Sequence, residues 1–160
     1  MIFSPENLPV RVGIGPTATN GIADTCDWIN LENADGVLIT IVHVGNTGGA
    51  GGSLVCTVHQ GTTGAGTLAL AVKQEFQIWA NLDCTASDTM VRQTDAITYT
   101  IAPAAVTQIV QFYVRASNLT QGYKWIQLGT GTGDASNTAS VIYQICGARY
   151  QQTTPPTDIA

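Results

Sequence analysis

From Gly122 to Tyr150 the chain reads GYKWIQL, then a loop of Gly, Thr, Asp and Asn, then TASVIYQICGARY. Tyr123, Trp125, Ile126 and Leu128 are spaced for a pleated surface on which successive side chains face opposite ways, and helical spacing does not fit them. Past residues 129–137, Val141, Ile142, Tyr143, Ile145 and Cys146 form a second apolar run with Gln144 inside it, the pattern of a strand buried largely on both faces. Together the two runs predict a core hairpin closed by the polar loop.

The same period recurs along the rest of the chain. Residues 1–20, with Pro5, Pro9 and Pro16, predict an extended N-terminal arm with one short strand near 10–12. Proline denies ladder hydrogen bonds, which places such a segment at a sheet edge or on a neighbouring subunit. Residues 26–31 predict a strand, and Asn33, Ala34, Asp35 and Gly36 a turn. Residues 37–44 and 53–60 flank NTGGAGG and predict a long-loop hairpin. TLALAVK, 67–73, fits either a strand or a helical turn. In 75–82, Phe76, Ile78, Ala80 and Leu82 share one face and Trp79 takes the other. Residues 83–95 read as a polar surface loop, and 97–101 as a strand ending before Pro103. Residues 108–116 predict a longer strand with Val110, Phe112 and Val114 on one wholly apolar face, and 117–122 a compact loop or single helical turn ended by Gly122. About eight strands with turn chemistry between them indicate an all-β fold, a jelly-roll or related antiparallel β-sandwich with extended N- and C-terminal arms. One domain, 1–160, accommodates this: an arm over 1–20, the sandwich over 21–150, and a second arm over 151–160, extended at Pro155 and Pro156.

Composition narrows the partners. Charged residues form 11% of the chain and hydrophobic residues 44%, against about 25% charged in an average soluble domain. Such a surface suits a protein that works against other protein, because interface cores are depleted in charge; an ordinary Thr-rich sandwich is the plainer reading. The net charge is −5, and the six bases are scattered rather than clustered. Nucleic acid is therefore not expected as a partner. No membrane partner is expected either, since no run approaches the roughly 18 apolar residues of a span, and the N-terminus lacks the pattern of a secretory signal.

Candidate chemistry is sparse. NTGGAGG and GTTGAG are each without the helix and the Gly-Lys-Ser/Thr ending of a phosphate cradle. His43 and His59 fall near opposite ends of the expected first hairpin, too far apart for a metal site of their own. Cys26, Cys56, Cys84 and Cys146 lie without C-x-x-C spacing and read as reduced thiols. The acids Glu32 with Asp35, and Asp83 with Asp88, sit in turns, where local hydrogen bonding favours them, rather than in a paired catalytic arrangement. No G-x-S-x-G elbow is present. No catalytic residue, metal site or cofactor is expected, and the protein is not expected to be an enzyme. Trp28, Trp79 and Trp125 are the aromatics a carbohydrate-binding module could use, although Trp within a strand faces a core or an interface more often.

Five segments carry a resemblance: MIFSPENLPVRVGI, WINLENADGVLITIVHVG, the expected Gly-rich hairpin, QIVQFYVRASNLTQGYKWIQL, and VIYQICGARY followed by TTPPT. On these, the chain resembles the head decoration, or cement, proteins of tailed bacteriophages. The resemblance implies a β-sandwich without enzymatic activity, made in the host cytoplasm and seated on the outer surface of the head against the major capsid protein. It also implies a homo-oligomer, a trimer by preference or a dimer. Within that reading the arms supply capsid or subunit contacts through Phe3, Pro5, Leu8, Pro155, Pro156 and Ile159, and Trp28 and Trp79 act as anchors if they point out of the sandwich. The alternatives are a tail- or fibre-associated β-sandwich and a carbohydrate-binding module.

Overall fold

The computed structural model describes residues 9–21, 26–46, 52–64, 70–72, 74–148 and 158–159. In chain order the first six strands are β1 (Val10–Ala18), β2 (Trp28–Asn30), β3 (Ala34–Val44), β4 (Leu54–Gly61), β5 (Leu70–Ala71) and β6 (Gln77–Asn81). The other six are β7 (Val91–Arg92), β8 (Thr98–Ile101), β9 (Thr107–Arg115), β10 (Trp125–Thr130), β11 (Thr138–Ala148) and β12 (Asp158–Ile159). Two single-turn 3-10 helices, Thr19–Gly21 and Ala116–Asn118, complete the described elements. Sheet A runs β1-β11-β3-β9-β6-β7 and sheet B runs β12-β2-β10-β4-β5, with β8 also paired to β4. Every named strand pair is antiparallel. The protein is an all-β sandwich.

The period-two pattern decides which face of each strand turns inward. Sheet A buries Val37, Ile39 and Ile41 of β3, Val110, Phe112 and Val114 of β9, Ile78 and Ala80 of β6, and Val141, Tyr143 and Ile145 of β11. Against them pack Leu54, Cys56 and Val58 of β4 with Ile126 and Leu128 of β10. Phe112 lies at the centre, edge-on to Phe76 at 5.4 Å and to Tyr99 at 6.4 Å between ring centroids. Each such side chain, fully buried, contributes roughly 1.5–3 kcal/mol by leaving water.

Neither expected hairpin forms. β3 belongs to sheet A, between β11 and β9, whereas β4 belongs to sheet B, so residues 45–53 carry the chain from one sheet to the other. The stretch from Gly122 to Tyr150 does the same: β10 lies in sheet B and β11 in sheet A. A two-residue turn of fixed type forces its flanking strands to pair, but loops of seven to nine residues also reach across the roughly 10 Å between packed sheets. Long loops therefore join strands across the core here.

The N-terminal segment differs from expectation too. Rather than a short strand at 10–12, β1 extends through Pro16 to Ala18 as the edge of sheet A, with irregular register between Val12 and Ile14 and again between Ile14 and Thr17. Proline and bulges are tolerated at an edge, where one row of hydrogen bonds is not needed. β7 also arises inside the segment read as a loop, pairing Arg92 with Trp79 and Val91 with Ala80. Leu82, expected on the buried face, lies beyond the end of β6 and is exposed.

A hydrogen bond through the core ties the sheets together. Tyr143 is completely buried on β11, and its hydroxyl accepts the backbone N–H of Leu128 on β10 at 2.9 Å. β2 pairs with β10 only at Trp125 and Ile126, so the phenol satisfies a backbone donor just beyond that ladder. Gly13 of β1 makes room for the ring, because a Cβ there would overlap Tyr143 Cε2.

Candidate interaction surface

The outer face of sheet A spans six strands. Because paired residues share a face, the registers define rows across it. One row crosses all six strands as Val12, Ile142, Thr40, Gln111, Trp79 and Arg92. Its neighbours read Val10, Gln144, Leu38, Tyr113, Gln77 and then Ser140, Val42, Ile109, Asn81. Val12 is 57% exposed and Val10 54%. Gln111 Nε2 donates to Thr40 Oγ1 at 3.2 Å, fixing two polar side chains in the plane of the face.

Charge is confined to one side of this surface. Its outward strand positions on β1, β11 and β3 carry no charged side chain; the cations are Arg115 on β9 and Arg92 on β7. Both lie against aromatic rings, Arg92 at 5.6 Å from the centroid of Trp79 and Arg115 at 5.9 Å from that of Tyr113. Arg92 also forms an ion pair with Asp95, and this pair holds the Asp95 carboxyl below its ordinary range. Stacked in this way, the guanidinium groups add little relief to the face.

The residues expected to make contacts fall in different places. Trp79 stands on the outer face of sheet A and is 38% exposed. Trp28 does not fill the expected role of an exposed anchor: it is only 6% exposed, and its ring packs so closely that a Cβ added at Gly61 would sit 2.8 Å from Cζ3. Trp125 is buried as well. Ile159 belongs to β12, which pairs with β2 of the same chain, Ile159 opposite Trp28 and Asp158 opposite Ile29. Phe3, Pro5, Leu8, Pro155 and Pro156 lie outside the described residues. What sequence reasoning missed was the face itself, since Val12, Ile142, Thr40, Gln111 and Trp79 come from strands far apart in the chain. Their alternation was visible, but their adjacency follows from strand order.

The groups weighed for chemistry are held in structural roles. His43 points into the core from β3 and is completely buried, whereas His59 shares the outward side of sheet B with Gln127, its partner in register. Sheet B therefore separates the imidazoles. His43 Nδ1 lies 3.2 Å from Gln108 Oε1 and its Nε2 finds no protein partner; burial lowers its pKa. Asn137, also buried, accepts the Asn46 N–H through Oδ1. Asp83 accepts the hydroxyl and N–H of Thr85 and the N–H of Ala86, which hold its carboxyl below the usual range. That is the chemistry of a turn. Glu32 pairs with Lys124 at 2.9 Å. No disulfide joins the four cysteines, and burial, with the neighbouring Cys26, pushes Cys56 up to about 12. Among the described residues no group of three or more His, Cys, Asp and Glu gathers as metal ligands would.

Comparison with family models, with curated proteins and with solved structures finds no match for the chain.

Proposed function

We propose that the protein is a structural component of a virion, a non-enzymatic homo-oligomer that binds the outer surface of a tailed-phage capsid and stabilises it by bridging capsid subunits. The observation that carries this reading is the broad, nearly uncharged outer face of sheet A, a surface suited to contact with protein. The resemblance of its segments to phage decoration proteins supplies the setting. A protein lying across a junction between capsid subunits adds binding free energy that must be lost before those subunits separate. Many copies on one lattice resist separation together.

A carbohydrate-binding role would call for an open aromatic platform. Trp79 is the exposed indole, and Arg92 already lies over its ring, which favours the structural reading. Quantitative mass spectrometry of purified particles tests the proposal directly. Copy number close to that of the major capsid protein, with a fall in particle rupture temperature when the protein is stripped away, is the expected result. A few copies per particle would place the protein in the tail or fibre instead, and unchanged rupture temperature would refute the bridging mechanism.

A further inference from the structure

We infer that the outer face of sheet A is the surface through which two copies of this chain pack, face to face about a two-fold axis. Size is the first argument. Six strands spaced about 4.8 Å apart, with rows roughly 30 Å long on β3, β9 and β11, offer roughly 700–800 Å². This is close to the about 800 Å² that each partner contributes to a stable pairwise interface.

Charge identifies the occupant. The chain carries a net charge of −5, so most of its surface repels a second copy, yet the strand positions forming this face contain no carboxylate. A strongly charged partner would leave its own charges unpaired against Val12, Ile142, Leu38, Val42 and Ile109. A second copy brings a face of the same uncharged kind. A two-fold contact also requires a surface to complement itself. Thr40, Gln111 and Gln144 do so, because hydroxyl and amide groups both donate and accept. A two-fold axis parallel to the strands and near β3 places Arg115 of one copy over β11 of the other and Arg92 at its β1 edge, so the cations do not meet.

The sheet edges favour the same arrangement. β1 is irregular and contains Pro16, and β12 occupies the free side of β2. Bulges, proline and covering strands discourage edge-to-edge pairing at these two places. The geometry gives a dimer rather than the trimer favoured from the resemblance. The inference takes its purpose from the assembly role proposed above, but its test needs no capsid.

Sedimentation equilibrium of the full chain at tens of micromolar should return the mass of a dimer. Val42→Glu, at the centre of the face, should shift it to the monomer mass with an unchanged circular dichroism spectrum, whereas Val55→Glu, on the outer side of sheet B, should remain dimeric. If Val42→Glu does not fold, Thr40→Glu in the adjoining row gives the same reading. A monomeric or trimeric native chain would overturn the inference, as would a dimer indifferent to the folded substitution on this face. Abundant copies in particles of a chain that is monomeric alone would leave the proposed function standing without this interface. A dimer absent from particles would do the reverse.

Discussion

Replacing Tyr143 by Phe removes one oxygen atom from the middle of the sandwich. The ring is completely buried and its hydroxyl accepts the Leu128 N–H at 2.9 Å. Burial, with the Cys26 thiol beside it, raises the phenol well above its ordinary pKa, so the group acts as a neutral hydrogen-bond partner. Phe fills the same space and preserves the packing against Gly13, which leaves the stranded backbone donor as the principal change. A buried donor deprived of its partner costs about 1–3 kcal/mol. For a chain of this size each kcal/mol lowers the melting temperature by roughly 2–4 °C. Urea unfolding followed by tryptophan fluorescence should show a lower midpoint with an unchanged slope, because the surface exposed on unfolding is the same. A change below about 0.5 kcal/mol, the ordinary scatter of surface substitutions, would refute the claim that this hydroxyl secures β10 to β11.

Two other perturbations follow from the same core. His43 is buried with a lowered pKa, so between its ordinary value of about 6.5 and its folded value the unfolded chain binds a proton that the folded chain does not. Stability contributed by the neutral imidazole is complete above pH 6.5 and should fall as the pH drops below it, at a slope of at most about 1.4 kcal/mol per pH unit for one proton, until the folded pKa is passed; chemical denaturation from pH 7.5 to 5 should reveal this fall, and His43→Gln should flatten it. Gly13→Ala puts a methyl group where the Tyr143 ring lies and should destabilise the protein by about 1–3 kcal/mol, as overpacking does. A Gly13→Ala melting curve matching that of the native chain would show that β1 is free to move away from the ring.

The fold class and the inward face of most strands were legible in the chain. Val110, Phe112 and Val114 had to share a side because a pleat alternates, and burying that side leaves Gln111 and Tyr113 on the other. The expectation that Phe76, Ile78 and Ala80 would oppose Trp79 rests on the same geometry. These features depend only on covalent spacing and on the free energy of removing apolar area from water. What residues 45–53 and 129–137 connect was not legible, because a polar loop of that length can close a hairpin or cross between sheets, and the choice depends on which strands together bury the core. Trp28 and Trp79 show the same limit at a single side chain. Both are indoles in amphipathic strands, yet Trp28 packs over Gly61 while Trp79 stands open on the outer face of sheet A. That face, and with it the row from Val12 to Arg92, exists only because strand order sets β1, β11, β3, β9, β6 and β7 side by side. Local pattern determines which way a side chain points; tertiary pairing determines what stands next to it.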